Sequence, residues 1–303
     1  MLGTLGSLVL AVALAAAHAQ ARLPEQAAWQ RALQAPVVEQ TQARVVVLDV
    51  ATGKLLASVR LKQAAHALAN PGSTLKPLIL FHAIQSGRWN PAQRVACART
   101  LRLGVHPMNC SHPPLDPMNA EQALAWSCNT YFAALAAQMP PEQLRQALAE
   151  RGLLGSTGLA AEESVAEFRL PRTAEQMKLA ALGVEGVRVT LLELAVAYRR
   201  LEQEMEVEMR SRPSAAAAVV RAGLADSASY GMAGAAGLGG VPVAGKTGTA
   251  AAAEGTATHG WFVGLAPAER PRVVLAVYVP TGHGANAAAV AAAVLASSPL
   301  RSR

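Results

Sequence analysis

Residues 44–59 read RVVVLDVATGKLLASV, and this stretch decides the fold class. A β-branched run is followed by Thr52-Gly53 and a second apolar run, which is the pattern of a β-hairpin. Three more strand-like runs, separated by glycine and proline, lie near the other end of the chain at residues 241–249, 260–265 and 272–279. Strands near both ends of the chain predict one sheet to which both ends contribute.

The chain between these strands is helix-rich. Apolar residues recur at helical spacing over residues 74–85, 120–139, 142–151 and 191–201, and residues 284–298 form a further helical Ala/Val stretch. We therefore predict an α+β fold, in which an antiparallel sheet formed from both chain ends carries an inserted all-helical lobe. Residues 20–43 are predicted to be a helical extension, and residues 44–303 one domain.

Composition supports a globular protein. The hydrophobic fraction of 52% is ample for a core, and only 16% of residues are charged. The net charge of +7 is spread along the chain, and aromatic residues make up only 4%. Without a basic cluster, nucleic-acid binding has little support.

The first residues resemble an export signal. An apolar stretch at residues 2–16 ends in Ala17-His18-Ala19, the small-x-small pattern of a signal-peptidase site before Gln20. We predict a signal peptide over residues 1–19 and export to the periplasm or the outer face of the cytoplasmic membrane. Because no Lys or Arg precedes the apolar stretch, an uncleaved anchor remains an alternative, although spanning a bilayer takes about 20 apolar residues.

Three cysteines allow two interpretations. Cys97 and Cys110 lie in a loop-like stretch and, in an oxidising compartment, could close a disulfide. Alternatively, His106 and His112 flank Cys110 as metal ligands would, but this spacing fits no strong zinc pattern. We favour a structural loop, expect no metal and no cofactor, and leave the disulfide open.

Three short motifs stand in order along the chain: Ser73-Thr74-Leu75-Lys76, Ser127-Cys128-Asn129 and Lys246-Thr247-Gly248-Thr249. From average composition, about one Ser-x-x-Lys and about one Ser-x-Asn arise by chance in a chain of this length, but Lys-Thr-Gly only a few hundredths of a time. The third motif and the order of the three therefore carry the information.

The first motif fits an activated nucleophile. Pro71-Gly72 ends the preceding structure and an apolar helix follows, so Ser73 is predicted at a helix N-terminus. Residues three apart share a helix face, which predicts the Lys76 amine beside the Ser73 hydroxyl. A partly desolvated lysine can take the serine proton, and arginine cannot.

The other two motifs suit the rest of an acyl transfer. Ser127 could relay a proton to the leaving group, and Asn129 could hold a substrate amide and Lys76. Gly248 would let a peptide approach the strand, where Lys246, Thr247 and Thr249 would bind a carboxylate. The N–H groups of Ser73 and Thr249 would form an oxyanion hole.

Together these residues resemble the penicillin-binding transpeptidase family, whose signature is this ordered triplet. The segments NPGSTLKPLILFHAIQSGRW (70–89), ALAWSCNTYFAALA (123–136), VRVTLLELAVAYRRL (187–201), VAGKTGTA (243–250) and HGWFVGLAP (259–267) are similar to its nucleophile helix, second-motif helix, intervening helix and cleft strands. The resemblance covers residues 44–297.

The resemblance implies a β-lactamase/transpeptidase-like fold and a D,D-transpeptidase activity, in which Ser73 is acylated by a D-Ala-D-Ala stem peptide of peptidoglycan. It implies covalent inhibition by β-lactams and a membrane or cell-wall synthesis partner. It carries catalytic roles to Ser73, Lys76, Ser127, Asn129 and Lys246. Substrate binding falls to Thr247, Gly248 and Thr249.

Three alternatives stay open. A D,D-carboxypeptidase would differ only in using water as acceptor. A serine β-lactamase would need a group that hydrolyses the acyl-enzyme, but residues 162–165 do not reproduce the Glu-x-x-x-Asn element of one class, and Asn129 stands where another class has valine. The third alternative is a non-catalytic β-lactam-binding or scaffolding module.

Overall fold

The structure is a computed structural model that describes residues 25–211, 213–251 and 257–301. The predicted signal peptide at residues 1–19 lies outside these ranges. Five strands form the main sheet: β1 (Arg44–Asp49), β2 (Leu55–Val59), β7 (Ala244–Ala251), β8 (Thr258–Ala266) and β9 (Val273–Val279). Four two-residue strands form two separate ladders: β3 (Arg102–Leu103) with β4 (His106–Pro107), and β5 (Glu167–Phe168) with β6 (Val187–Arg188).

The helices flank the sheet and fill the lobe. Those before the second motif are α1 (residues 25–32), α2 (Pro36–Gln40), α3 (Leu61–His66), a 3-10 helix (Gly72–Leu75), α4 (Lys76–Gln85) and α5 (Ala120–Ala125). Those after it are α6 (Asn129–Ala136), α7 (Pro141–Ala149), α8 (Ala174–Ala181), α9 (Leu191–Ser211), α10 (Ala215–Ser229), α11 (Gly234–Gly237) and α12 (Gly284–Ala296).

The sheet joins the two ends of the domain, as the sequence predicts. Its strand order is β2-β1-β9-β8-β7, and every neighbouring pair is antiparallel. Arg44 lies opposite Tyr278 and Asp49 opposite Val273, so the first strand pairs directly with the last. Strand β7, which carries the third motif, is left at an edge of the sheet.

Alternation along the strands builds two hydrophobic cores. Val46 and Leu48 of β1 pack towards the helical lobe, whereas Val45 and Val47 point into a second cluster on the other face. Helix α12 covers that second face, and Trp29 of α1 is fully buried there. Helices on both faces hold the sheet rigid beneath the site.

The lobe differs from the prediction in detail. It is helix-rich rather than all-helical, because it includes the β3–β4 and β5–β6 ladders, whose two-residue strands are too short to leave an alternating pattern. The helical stretch predicted over residues 120–139 is broken at residues 126–128, between α5 and α6. Helix α9 continues ten residues beyond the predicted stretch, to Ser211.

Among the described residues, the helices are either too short or too polar to cross a bilayer.

Candidate active site

The first motif lies in a tightly held turn. Ser73 is half-buried in the 3-10 helix that leads into α4. The carbonyl of Asn70, just before this turn, accepts hydrogen bonds from Trp261 Nε1 at 2.9 Å and from His259 Nε2 at 2.8 Å. Both donors project from β8, so the sheet fixes the entry to the turn that carries Ser73. Sequence analysis did not predict this role for either residue.

Lys76 is fully buried, and the second motif holds its amine. Its Nζ donates to Ser127 O at 2.8 Å, to Ser127 Oγ at 3.2 Å and to Asn129 Oδ1 at 2.7 Å. Burial lowers the pKa of Lys76 to about 7, although the nearby Cys128 and Cys110 sulfurs act in the opposite direction. An amine with this pKa is partly neutral at physiological pH and can accept a proton.

The expected contact between Lys76 and Ser73 is not made: within the described residues, no hydrogen bond joins the Ser73 side chain to Nζ. The amine is turned towards Ser127 and Asn129 instead. Hydrogen bonds of a catalytic pair are often loose without substrate and tighten when it binds, so the arrangement is compatible with a nucleophile and its base.

The second motif occupies a strained connection between α5 and α6. Ser127 has φ +55°, a left-handed conformation that is uncommon for a non-glycine residue. Asn129 begins α6 and uses both ends of its amide, because Nδ2 also donates to Met108 O at 3.1 Å and to Asn109 O at 3.3 Å. Asn129 therefore joins the Lys76 amine to the loop before α5.

The third motif runs along the free edge of β7. Lys246 is fully buried, and its Nζ donates to Thr247 O at 3.1 Å. Burial, and then the charge of Lys76, hold the pKa of Lys246 well below its usual range. The Oγ1 of Thr249 accepts from the N–H of Gly284, which leaves its hydroxyl proton free to donate.

Two glycines let the first and third motifs meet. A Cβ on Gly248 would lie 2.4 Å from Pro71 O, and a Cβ on Gly72 would lie 2.7 Å from Thr249 O and 3.0 Å from Thr249 N. Neither position has room for a side chain. Strand β7 thus passes directly against the turn that carries Ser73, and the three motifs converge.

The convergence point is a cavity of about 440 Å³. Ser73, Ser127, Asn129 and the Thr247–Thr249 segment line it. Sequence analysis missed several other lining residues, which are His106, Pro107, Met108, Asn109, Ser111, Trp126, Leu182, Val184 and Met232. Five of these lie in the irregular loop between α4 and α5. The only feature of the sequence that sets this loop apart is its Pro- and Asn-rich composition, which does not indicate that the loop lines a cavity.

Glu163 belongs to a loop of its own rather than to this cavity. Its carboxylate accepts hydrogen bonds from the N–H groups of Thr157, Leu159 and Ala160 and from the Thr157 hydroxyl. Burial raises the pKa of Glu163, but these hydrogen bonds outweigh it and lower the value to about 2. The carboxylate is committed to the loop.

Cys97, Cys110 and Cys128 are free thiols in the structure. A Cys97–Cys110 disulfide, left open by the sequence, is therefore not formed here.

The sequence of this chain is similar to that of known transpeptidase domains. Residues 43–298 match the family model described as the penicillin binding protein transpeptidase domain. A probable peptidoglycan D,D-transpeptidase PenA from Neisseria gonorrhoeae is 29% identical over 299 residues, which cover 82% of this chain and 50% of the relative. Its counterpart from Neisseria flavescens is 28% identical over 300 residues, 82% of this chain and 72% of the relative. The chain spans about half the length of the first of these.

Solved structures share the fold. The transpeptidase domain of Burkholderia pseudomallei penicillin-binding protein 3 superposes with a TM-score of 0.77 at 24% identity, over 90% of this chain and 93% of that one. A peptidoglycan glycosyltransferase from Burkholderia ambifaria gives a TM-score of 0.77 at 23% identity, over 90% and 94%. At this identity the likeness establishes the α+β architecture.

Proposed function

The chain belongs to the penicillin-binding protein transpeptidase domain family, and on this premise we propose that it is a serine D,D-transpeptidase acting on the D-Ala-D-Ala end of peptidoglycan stem peptides. The observation that carries the proposal is the position of Lys76, a buried amine held by Ser127 and Asn129 at the cleft that contains Ser73. Such a substrate implies action outside the cytoplasm, at the periplasmic face of the membrane.

The proposed acylation begins with proton transfer. Neutral Lys76 takes the proton of Ser73, and the Ser73 oxygen bonds to the carbonyl carbon of the penultimate D-alanine. The C–N bond to the terminal D-alanine breaks, and the proton reaches the leaving amine through Ser127, which contacts the same Nζ. An acceptor amine then attacks the ester carbonyl, its proton passes through Lys76 to the Ser73 oxygen, and the ester C–O bond breaks to free the serine.

The developing oxyanion and the terminal carboxylate have separate partners. The N–H groups of Ser73 and Thr249, which the close packing of Gly72 supports, are proposed to donate to the oxyanion. Lys246, Thr247 and Thr249 are proposed to bind the carboxylate. Because an opposite charge favours the protonated amine, carboxylate binding would raise the pKa of Lys246.

The test is intact-mass analysis of the purified chain with and without benzylpenicillin, followed over hours. We expect one stable adduct, which Ser73→Ala abolishes and Ser86→Ala, at the far end of α4, retains. Rapid loss of the adduct would favour a β-lactamase instead, and absence of an adduct a non-catalytic module.

A second arm identifies the acceptor. A synthetic pentapeptide ending in D-Ala-D-Ala is incubated with and without an added amino-acid acceptor, and the products are separated by mass. We expect a product that joins donor and acceptor. Release of D-alanine with water as the only acceptor would make the chain a D,D-carboxypeptidase.

A further inference from the structure

Four potential metal ligands meet beside the second motif. One ligand atom from each of Cys97, Cys110, His112 and Cys128 lies within 4.8 Å of the others. Cys97 is half-buried, and the other three are buried. Three of them come from the loop between α4 and α5, and Cys128 is the middle residue of the second motif. The folded chain therefore builds a Cys3His cluster that the linear spacing conceals.

The distance between two of the sulfurs suits ligands of a tetrahedrally coordinated ion. Two thiolates bound to zinc at about 2.3 Å in tetrahedral geometry lie about 3.8 Å apart. The Cys110 and Cys128 sulfurs are separated by 3.8 Å without a bond between them. A disulfide would need about 2.05 Å. The pair is thus spaced as zinc ligands are.

His112 provides an independent sign of a missing ligand. The residue is 1% exposed, and its Nδ1 lies 2.7 Å from Pro113 O, whereas Nε2 is buried with no hydrogen-bond partner. Buried polar atoms are rarely left unpaired. Metal-binding histidines usually donate one ring N–H to a carbonyl and use the other nitrogen for the metal. Nε2 is therefore the atom available to an ion.

The surroundings support thiolate ligands. The backbone N–H of Arg99 lies 3.3 Å from Cys97 Sγ and can donate to it, and the Arg99 guanidinium donates to the carbonyl of His112. Hydrogen bonds of this kind orient ligands around a metal. Soft thiolates together with an imidazole favour zinc among the common biological cations.

We propose that Cys97, Cys110, His112 and Cys128 bind one structural zinc ion. Binding releases the thiol protons and leaves all four ligand positions filled by protein, as in closed Cys3His sites. The ion ties the loop between α4 and α5 to the second motif, where Cys128 stands between Ser127 and Asn129. It thereby fixes the cleft wall formed by Met108 and Asn109.

The experiment uses the full chain, purified under reducing conditions without chelator and loaded with zinc sulfate. After desalting, we expect about one zinc per chain by elemental analysis. Loading with Co²⁺ instead should give the strong visible bands of a tetrahedral site together with thiolate-to-cobalt charge transfer. No metal on the wild-type chain, or a disulfide that leaves one free thiol, would overturn the proposal.

Variants separate this site from surface binding. Cys110→Ser and His112→Gln should each weaken zinc binding by at least about tenfold. His106→Gln is the matched control, because His106 lies in the same loop but outside the cluster, and it should retain the zinc. Equal loss in His106→Gln, or unchanged binding in the other two, would contradict the assignment.

Limited proteolysis tests the role of the ion. Arg102 is exposed in the loop, and trypsin should cleave after it at least about tenfold faster once a chelator has removed the zinc. Re-addition of zinc should restore protection. Equal cleavage of the two forms would show that the metal does not hold the loop.

Discussion

Asn129 Oδ1 accepts a hydrogen bond from Lys76 Nζ at 2.7 Å, while the Nδ2 of the same amide holds the loop before α5. Asn129 therefore positions the Lys76 amine and holds the loop that forms the cleft wall. A change at this residue alters the electrostatics of Lys76 without touching Ser73, which makes the proposed base testable.

The acylation rate should depend on the protonation of Lys76. With a pKa of about 7, the amine is charged and inactive below this pH and neutral above it, so the rate should rise as pH increases, with a midpoint near 7. The measurement is the rate of labelling by a fluorescent penicillin across pH.

Lys76→Arg completes that test. A guanidinium cannot accept the serine proton, so labelling should slow by at least about 10²-fold. The exposed lysine in the β1–β2 turn offers a control, Lys54→Arg, which should label normally. Near-normal labelling of Lys76→Arg would refute the base assignment.

Asn129→Asp should move the pH profile. A carboxylate 2.7 Å from Nζ favours the charged amine and should raise the pKa of Lys76 by about 1–3 units. The midpoint for labelling should shift to higher pH by the same amount. Asn119→Asp serves as control, because aspartate caps α5 as well as asparagine does. An unshifted midpoint would mean that residue 129 does not contact the base.

Gly248→Ala should separate the motifs. Its Cβ would lie 2.4 Å from Pro71 O, so β7 or the turn that carries Ser73 must move. We expect a loss of about 1–3 kcal/mol in the free energy of unfolding and labelling slower by about 10²-fold. Gly234→Ala, where nothing lies within 4 Å, is the control. Normal labelling of Gly248→Ala would show that the close approach does not matter.

Glu163→Gln should destabilise the loop in a pH-dependent way. The folded-state pKa of about 2 lies below the unfolded value, so the carboxylate stabilises the fold above pH about 4.5 and loses this effect as pH falls towards 2. The difference in melting temperature between wild type and Glu163→Gln should therefore be largest near pH 7 and shrink on acidification.

The exposed neighbour provides the control for that variant: Glu162→Gln should melt as wild type does. Loss of a preformed benzylpenicillin adduct should occur at the wild-type rate in Glu163→Gln. A slower loss would instead make Glu163 a hydrolytic base, which would favour the β-lactamase alternative.

The sequence predicts those elements that leave a periodic hydrophobic pattern or a short motif. The hairpin at residues 44–59 and the third-motif strand could be predicted, because β-branched runs bounded by glycine are local signals of a strand. The three-residue spacing of Ser73 and Lys76 predicted a contact between their side chains, but spacing cannot give a rotamer, and the Lys76 amine turns to Asn129 instead. Cys97, Cys110 and Cys128 come together only because the irregular loop between α4 and α5 folds back onto the second motif. No periodic pattern in the sequence predicts this.

The pairing of β1 with β9 also constrains how the chain can fold. Because Arg44 pairs with Tyr278, the β1–β9 ladder can form only after almost the whole domain is present. Contacts this distant along the chain slow folding, because the entropy of closing the loop is lost before the strands gain their bonds. Until β9 arrives, β1 has a free edge rich in valine, a ready template for association with another chain. A product truncated ahead of residue 273 should therefore aggregate rather than fold into a smaller version of the domain.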